Sequence, residues 1–420
     1  MPSQRLRHAA ALGALCLLSG CGLGHQLLGL NSGPDAGVGQ TGAAPHAFGY
    51  AVADAPEAAL VARQILNDGG NAADAAAAAG FALSVTLPSR ASLGGGGACI
   101  VKMPNAAGDM QPPVALVFPP GAPVSTGGSR PAAVPELARG LLALQARYGE
   151  LPFASTVVPA ERLAGGVPVS PALEADLKVV GNALLADPAA AAIFGRNGTV
   201  LPEGAELVQP DLAATLEILR TQGVQGFYAG TFAQRFADAA DAAGGGLTLQ
   251  DMNATPPRFT QPDISEEGGF AVAMLPARTD ATGQVLPASA AFETLDKHGG
   301  VVACDVTDNN LFGTGRIAPN TGILLAASPR SGPTPILAAG IAYNAGNLNF
   351  RAAATGTGQQ GAATAATDAL ANALAGHPDI PVPNPGRANV ISCPGGMPGG
   401  EGSCTASADP RGHGLAIGGR

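Results

Sequence analysis

The stretch from Ser289 to Leu325 constrains the fold of this chain most strongly, because it begins with the pattern of a β-hairpin. Two short apolar and β-branched runs, Phe292–Leu295 and Val301–Val306, flank the turn-forming sequence Asp-Lys-His-Gly-Gly at 296–300. Alternating strand patterns separated by such a cluster are typical of two antiparallel strands joined by a short loop. The chain is therefore expected to contain a sheet with this hairpin inside it.

The register of the hairpin follows from its turn. If the five-residue loop is centred on His298, Ser289 faces Thr307 on the opposite strand, where paired Cβ atoms lie roughly 4.5–5.5 Å apart. Asn309 follows Thr307 by two residues and so lies on the same face. The pattern predicts that two hydroxyl groups and an amide converge at one end of the hairpin, around Ser289 as a nucleophile.

The composition indicates a large core and argues against a nucleic-acid partner. The chain has 420 residues, of which 46% are hydrophobic, 13% charged and 4% aromatic, so it can form one large domain or two. Its net charge is −9, and no basic stripe is present to neutralise phosphates. The six histidines are scattered and no metal-binding motif occurs, so we expect neither a metal nor another cofactor.

The first twenty residues have the pattern of an export signal. Two arginines precede the apolar run 9–18, which is too short to span a bilayer as a mature helix. Residues 18–21 (Leu-Ser-Gly-Cys) resemble a bacterial lipobox, which implies a lipidated Cys21 and a periplasmic protein anchored to the envelope, with Gly22 fitting the outer membrane. The alternative is an ordinary signal peptide that contains a cysteine. Residues 21–48 are predicted to form a flexible tether.

Periodicity predicts a mixture of helices and strands. Helical spacing occurs at 57–67, 72–83, 135–148, 171–185, 209–220, 232–242 and 363–374, and strand patterns occur at 98–101 and 270–275. The four glycines at 94–97 are not followed by Gly-Lys-Ser/Thr, so we expect a close backbone approach there rather than a phosphate loop. From Gly376 the chain is rich in Pro and Gly and is predicted to lack regular structure.

One disulfide bond is expected among the cysteines outside the export signal. Cys393 and Cys404 flank a Pro/Gly-rich loop and could pair, since export places them in an oxidising compartment. Cys99 and Cys304 lie inside apolar segments, where buried unpaired side chains are expected.

Three groups of motifs resemble the γ-glutamyltranspeptidase family. The first is Gly-Gly-Asn-Ala-Ala-Asp-Ala-Ala at 69–76, followed by the glycines at 94–97. The second is Gln-Pro-Asp-Leu-Ala-Ala-Thr-Leu at 209–216, followed by Gly-Phe-Tyr-Ala-Gly at 226–230. The third comprises Phe-Gly-Thr-Gly and Thr-Gly-Ile-Leu-Leu between residues 312 and 325. Together they cover about residues 49–375 in family order.

The resemblance implies an α+β fold, the four-layer αββα sandwich of the N-terminal nucleophile (Ntn) hydrolases, and an amide substrate that is a small molecule or a peptide. Members cut their own chain before a Thr that aligns with Ser289. Thr307 and Asn309 match a Thr that contacts the nucleophile and an Asn that contacts the substrate, and Gly358 lies in the remnant of the oxyanion motif. The resemblance divides the chain into a large-subunit-like region at 49–288, a small-subunit-like region at 289–375 and a tail at 376–420.

The groups that bind a γ-glutamyl substrate in the family are largely replaced. Pro119 occupies the position of the arginine that binds the α-carboxylate, and Ser331 that of the acidic residue that binds the ammonium group. Ala290 and Ala291 follow the nucleophile where the family has Thr and His. Because a charged hydrogen bond contributes about 1.5–3 kcal/mol, losing both anchors predicts γ-glutamyl turnover lower by roughly two to four decades.

Two functional hypotheses therefore stay open. The chain is either a self-cleaving Ntn hydrolase with altered specificity or a catalytically inactive lipoprotein of the same fold with a binding or scaffolding role. A hydrolase with a Ser-His-Asp triad is disfavoured, because no Gly-x-Ser-x-Gly elbow occurs in the sequence.

Overall fold

Two β-sheets packed face to face, with helices on their outer sides, form the body of the protein. The computed structural model describes residues 41–43, by their backbone, and 49–125, 127–253, 256–276, 289–332 and 334–419. The predicted signal peptide, Cys21 and most of the predicted tether lie outside the described residues. Among the described residues, no helix is long and apolar enough to cross a membrane.

The strands belong to two principal sheets and three short two-stranded ribbons. In chain order they are β1 (Thr41–Ala43), β2 (Gly49–Ala53), β3 (Gly96–Lys102), β4 (Val114–Phe118), β5 (Val167–Pro168), β6 (Gly195–Arg196), β7 (Thr199–Val200), β8 (Glu206–Leu207), β9 (Arg258–Thr260), β10 (Asp263–Glu267), β11 (Phe270–Met274), β12 (Ser289–Leu295), β13 (Val301–Thr307), β14 (Ile317–Ala318), β15 (Ile323–Leu324), β16 (Ala338–Tyr343), β17 (Phe350–Thr357), β18 (Arg387–Met397), β19 (Thr405–Ser407) and β20 (Leu415–Gly419). The larger sheet has the order β1-β20-β2-β12-β13-β3-β4-β9, and the smaller one β10-β11-β16-β17-β18-β19.

Seven of the nine helices in the described part of the chain lie at predicted positions, whereas those at 153–164 and 188–194 were not predicted. In chain order the helices are α1 (Pro56–Asn67), α2 (Ala72–Thr86), α3 (Leu137–Tyr148), α4 (Phe153–Ala164), α5 (Pro171–Leu184), α6 (Pro188–Phe194), α7 (Pro210–Tyr228), α8 (Gly230–Ala242) and α9 (Ala362–Leu374). Four of them begin with proline, whose fixed φ and missing N–H suit the first helical position.

The αββα layering predicted from the family resemblance is confirmed. The apolar residues between the sheets form one cluster, which includes Ile100, Ala303, Ile341 and Ile391. Helix α9 covers the outer face of the smaller sheet, and α1 and α2 pack on the larger one. Helix α2 is buried along its whole length, since its alanine side chains allow close contact with its neighbours on every side.

The Asn71–Asp74 pair explains the first family motif in structural terms. The Asn71 side chain accepts hydrogen bonds from the N–H groups of residues 73 and 74, and the Asp74 carboxylate accepts one from the Asn71 N–H. This reciprocal capping box starts α2 as predicted. Asp74 also accepts from the Glu150 N–H at 2.8 Å, so the motif holds together α2 and the loop before α4.

The prediction that the chain loses regular structure after Gly376 is wrong. Strand β18 extends the smaller sheet and β20 lies inside the larger one, between β1 and β2. The Pro/Gly-rich composition concealed these strands, because their apolar residues are small and are interrupted by loops. The tether prediction also fails for Thr41–Ala43, whose backbone pairs in parallel with residues 416–418 of β20 and covers that strand's free edge.

Both pairs of cysteines outside the export signal form disulfides. The Cys393–Cys404 bridge confirms the prediction. The expectation that Cys99 and Cys304 stay unpaired is wrong, because they are direct cross-strand partners on β3 and β13 and bond to each other. Burial in apolar segments does not distinguish a free thiol from a bridge when the pairing partner is 205 residues away.

Replacing Asn71 by alanine should destabilise the fold by about 0.5–2 kcal/mol, the usual cost of removing an N-cap side chain. The measurement is the free energy of unfolding by denaturant titration. Asn67→Ala at the exposed end of α1 is the control and should change stability by less than about 0.5 kcal/mol. Equal effects from the two substitutions would contradict the capping role.

Candidate active site

The hairpin register predicted from the sequence is confirmed. Ser289 pairs with Thr307, and the antiparallel pairing continues without a shift to Leu295 and Val301. Both hydroxyl residues are buried, with 4% and 2% of their surface exposed. By strand alternation they share a face with Ala303, which packs between the sheets. The candidate nucleophile therefore begins a central strand and faces the space between the two sheets.

Asp305 is the titratable group closest in register to Ser289. It lies two residues before Thr307 on the same face, and the Ser289 hydroxyl favours the charged form of its carboxyl. Its Oδ2 accepts from the Ala338 N–H at 3.1 Å, whereas Oδ1 has no partner of ordinary geometry among the described residues. Burial dominates and raises the pKa of Asp305 well above its ordinary value.

Two further buried carboxyl groups lie near Asp305 in the same space. Asp54, directly after β2, accepts from the Ala291 N–H and from the Asn389 side chain, both at 2.9 Å. Glu293 faces Thr355 of the smaller sheet, and burial raises its pKa to about 8. Burial also raises the pKa of Asp54. Asp54, Glu293 and Asp305 are therefore three buried carboxyl groups whose ionisation is disfavoured.

The structure brings Asn309 next to Thr307. The Asn309 N–H donates to Thr307 Oγ1 at 2.8 Å, and its side-chain amide donates to the Ala327 carbonyl at 2.8 Å. Asn309 has a φ of 63°, so the chain turns sharply where β13 ends. The structure therefore places Thr307 opposite Ser289 and the Asn309 N–H against Thr307, while the Asn309 side chain is bonded to Ala327. The roles of the three residues in catalysis and substrate binding stay predictions.

Gly358 lies at the same end of the sandwich as Ser289. Asp305 pairs with Ala291 of β12 and accepts a hydrogen bond from the Ala338 N–H. Ala338 in turn pairs with Gly356 of β17, so the end of β17 that leads to Gly358 lies toward the site. Gly358 has a φ of 99°, and a Cβ there would overlap the Pro385 carbonyl. The backbone conformation is by itself enough to require glycine at this position. The contact of Gly358 with substrate stays a prediction.

The glycines at 94–97 make the predicted close backbone approach. Added Cβ atoms at Gly95 and Gly96 would overlap the backbone of Thr307 and of the segment 118–120. Gly96 is the cross-strand partner of Thr307, and the backbone of Pro119 lies on the other side of Gly96. Pro119 follows β4, which is three strands from Ser289 in the sheet, or roughly 14 Å at about 4.8 Å per strand, and it carries no charge.

A cavity of about 360 Å³ opens beside Asn309 and is lined by Ser328 and Ser331 as well. A larger cavity of about 840 Å³ lies at the other end of the hairpin, against Asp296 and His298. The seven residues of β12 separate the hairpin ends by roughly 20 Å, so the larger cavity is remote from Ser289. The cavity beside Asn309 is therefore one candidate substrate pocket. Another cavity, of about 430 Å³, is lined by Ala98, which pairs with Asp305, and by Leu337, which precedes Ala338.

Sequence reasoning missed Asp305 and Arg130. A carboxylate inside the otherwise apolar run Val301–Thr307, on the same face as Thr307, was a detectable signal for Asp305. Arg130, which lines the smaller cavity, gave no such signal, because it lies in a glycine-rich loop far from the hairpin in sequence.

The fold is that of the Ntn hydrolases. The cephalosporin acylase from Bacillus halodurans superposes with a TM-score of 0.73 over 89% of this chain and 96% of that one. The sequence identity is 18%, so this likeness describes the fold alone.

A model of the Gamma-glutamyltranspeptidase family matches residues 58–286, more than half of the chain. The protein therefore belongs to the γ-glutamyltranspeptidase family. The match ends just before Ser289, so the placement of the candidate nucleophile depends on the fold and on the hairpin.

Curated relatives support this membership over about half of the chain. The glutathione hydrolase proenzyme of Escherichia coli strain K12 is 33% identical over 234 residues, which is 52% of this chain and 40% of that protein. The acylase ACY 1 proenzyme of Pseudomonas sp. strain V22 is 31% identical over 227 residues, 49% of this chain and 40% of that protein. The matched part of the chain thus spans about two fifths of the length of these relatives.

The buried Glu293 should make stability depend on pH. Its folded pKa of about 8 is higher than the ordinary value of 4.5, so its contribution is fully present below about 4.5 and is lost as the pH rises toward 8. Glu293→Gln lacks this titration. Between pH 5 and pH 8, the free energy of unfolding of Glu293→Gln should rise by roughly 3–4 kcal/mol relative to that of wild type.

Urea titrations of both proteins at pH 5, 6.5 and 8 measure this change. Glu266→Gln, on the exposed strand β10, is the control for the same substitution at an exposed position. A pH-independent difference for Glu293→Gln would contradict the role assigned to burial.

Proposed function

We propose that the protein is a divergent member of its family that cuts its own chain before Ser289 and then hydrolyses or transfers an acyl group from an amide. The observation that carries the proposal is the pairing of Ser289 with Thr307 at the start of a buried central strand, beside Asp305. A serine hydroxyl is an effective nucleophile when an adjacent group takes its proton.

In the first step, the Ser289 hydroxyl attacks the carbonyl carbon of residue 288. The peptide C–N bond breaks as the ester forms, and the nitrogen becomes the α-amino group of Ser289. Water then hydrolyses the ester and leaves Ser289 as a new N-terminus. Asp305 is the group that faces the hydroxyl before cleavage, and its carboxylate form is proposed to accept the proton.

In the second step, the freed α-amino group acts as the general base. Its reference pKa of about 7.7–8.0 suits proton transfer near neutral pH. The hydroxyl attacks the substrate amide, the amine leaves with the proton, and the acyl group stays on Ser289. Water or a second amine then releases the acyl group. Thr307 is proposed to orient the hydroxyl, and Asn309 and Gly358 to contact the substrate.

A non-catalytic lipoprotein is the second candidate function. It is favoured by the absence of charge at Pro119 and Ser331, where the family binds its substrate. In that case the chain would stay uncut and the fold would serve binding or scaffolding.

Self-cleavage separates the two candidates. Purified wild-type protein should give two chains on a denaturing gel, and mass spectrometry should identify Ser289 as the N-terminus of the smaller one. Ser289→Ala should stay a single chain because it has no nucleophile, whereas Ser289→Thr keeps a hydroxyl and should still be cut. A wild-type chain as intact as the alanine variant would overturn the hydrolase proposal and leave the non-catalytic one.

The export signal leads to a separate proposal, that Cys21 is lipidated and anchors the protein to the bacterial envelope from the periplasmic side, at the outer membrane. In bacterial fractionation, wild type should be found with membranes and Cys21→Ala should not. Cys16→Ala, inside the apolar run, is the matched control and should behave as wild type. Membrane association unaffected by Cys21→Ala would contradict lipidation.

A further inference from the structure

The cavity of about 840 Å³ at the turn end of the hairpin takes no part in the proposed reaction. The end of α3, the loop between β3 and β4, the segment that joins β9 to β10 and the hairpin turn at 296–300 surround most of it. Its volume lies in the range of small-molecule pockets. Because the length of β12 separates it from Ser289 by roughly 20 Å, a small ligand in this cavity could not reach the candidate nucleophile.

Arg147, near the end of α3, is held beside this cavity by aromatic rings. Its guanidinium carbon lies 4.2 Å from the centre of the Phe259 ring and 5.2 Å from that of the Tyr148 ring. The two rings are in edge-to-face contact, with their centres 6.0 Å apart. The Tyr148 carbonyl also accepts a hydrogen bond from the Asn71 side chain at 2.6 Å, which fixes the end of the helix. The guanidinium group is therefore positioned by stacking rather than by an acid.

The hydrogen-bond donors of Arg147 are open to a ligand. Within the described part of the chain, its side chain forms no ion pair and donates no hydrogen bond. A stacked guanidinium group keeps the edge with its five N–H donors free, and this edge matches the two oxygens of a carboxylate. Since Arg147 is exposed and lines the cavity, a ligand there can use these donors.

The acids that line the cavity do not neutralise Arg147. Asp296 is buried and accepts hydrogen bonds from the backbone N–H groups of residues 72, 298 and 300, which compensate its charge. Glu150, the other acid in the described lining, is exposed to solvent, where its field is screened. The side chain of His298 also lines the cavity. The charges on this surface therefore leave the guanidinium group available to an anion.

A buried cation lies behind one wall of the cavity. Lys102 Nζ lies 5.8 Å from the centre of the Tyr343 ring, which lines the cavity, and it has no hydrogen-bond partner among the described residues. Burial lowers the pKa of Lys102 to about 8, so its ammonium form still predominates at pH 7. Its positive charge adds to that of Arg147 and favours an anion in the cavity.

The uncharged lining suits an organic ligand better than an inorganic ion. Met103, Pro113 and Ile264 supply apolar surface, and Gln111 and Gln261 supply side-chain amides. Amides form hydrogen bonds with a peptide backbone, and apolar surface packs against its side chains. An inorganic anion would use neither. The lining therefore points to a carboxylate that is attached to a peptide.

We infer that this cavity is a second binding site, in which Arg147 binds the C-terminal carboxylate of a short peptide and the remainder of the peptide lies along the apolar wall. The inference goes beyond the proposed function and does not depend on it, since the site contains no residue of the candidate active site.

Ligand-observed NMR on the full-length protein at pH 7 tests this inference. The probes are acetyl-Ala-Ala-Phe with a free carboxylate, the same tripeptide with a C-terminal amide, and acetate. The free acid should bind at least about 10-fold more tightly than the amide, because only the acid accepts charged hydrogen bonds from Arg147. It should also bind at least about 10-fold more tightly than acetate, which has no peptide body. Equal binding of the acid and the amide would overturn the inference, as would a tripeptide acid that binds no better than acetate.

Arginine variants locate the site. Arg147→Met keeps an apolar side chain against Phe259 but has no donors, so it should bind the acid and the amide equally. Arg147→Lys keeps the charge without the planar group and should retain part of the preference. Thermal unfolding of each variant checks that the fold is kept.

Two further arginines serve as matched controls. Arg235 is exposed and lies outside this cavity, with its guanidinium carbon 5.1 Å from the centre of the Phe232 ring, and Arg130 lines the cavity beside Asn309. Arg235→Met and Arg130→Met should both keep the wild-type preference for the acid. Loss of this preference in Arg130→Met but not in Arg147→Met would assign peptide binding to the other cavity and overturn the inference. Ser289→Ala should bind all three probes as wild type does, because the site is remote from residue 289.

Discussion

The buried carboxylate of Asp296 fixes the geometry on which the rest of the site depends. One of its oxygens accepts from the N–H groups of His298 and Gly300 within the hairpin turn, and the other accepts from the Ala72 N–H at the start of α2. The turn is thereby closed around one register and tied to the helix beneath it. A slip of one residue would move every side chain of β12 to the opposite face, so the position of Ser289 between the sheets depends on this turn at the far end of the strand.

Small side chains make this close packing possible, and the same packing makes the buried carboxyl groups costly to ionise. The alanines of α2 and the glycines at 94–97 let backbones approach closely, which places helix and sheet in tight contact around β12 and β13. The same closeness buries Asp54, Glu293 and Asp305. Carboxyl groups in such surroundings are expensive to ionise, and their raised pKa values follow from burial rather than from any one neighbour.

The parts of the structure that sequence reasoning predicted are those set by local patterns. The hairpin register follows from a turn of five residues, and the start of α2 follows from the spacing of Asn71 and Asp74. The Cys99–Cys304 bridge and the strands after Gly376 depend on pairing between distant segments, which local composition does not encode. Arg130 was missed for the same reason, since only the folded chain places it opposite Asn309.

Nucleophile placement and substrate recognition are physically separable in this protein. Ser289 and Thr307 belong to paired central strands, where a change of residue disturbs the core on both sides of the sheet. The cavity that faces Asn309 is lined by loop residues such as Arg130 and Ser331, which can change without moving a strand. Loops of this kind can carry a charge, as at Arg130, or lack one, as at Ser331, while the hairpin keeps its register. Under the proposed function, the fold sets where the reaction takes place, and the loops around Ser289 select the acyl group.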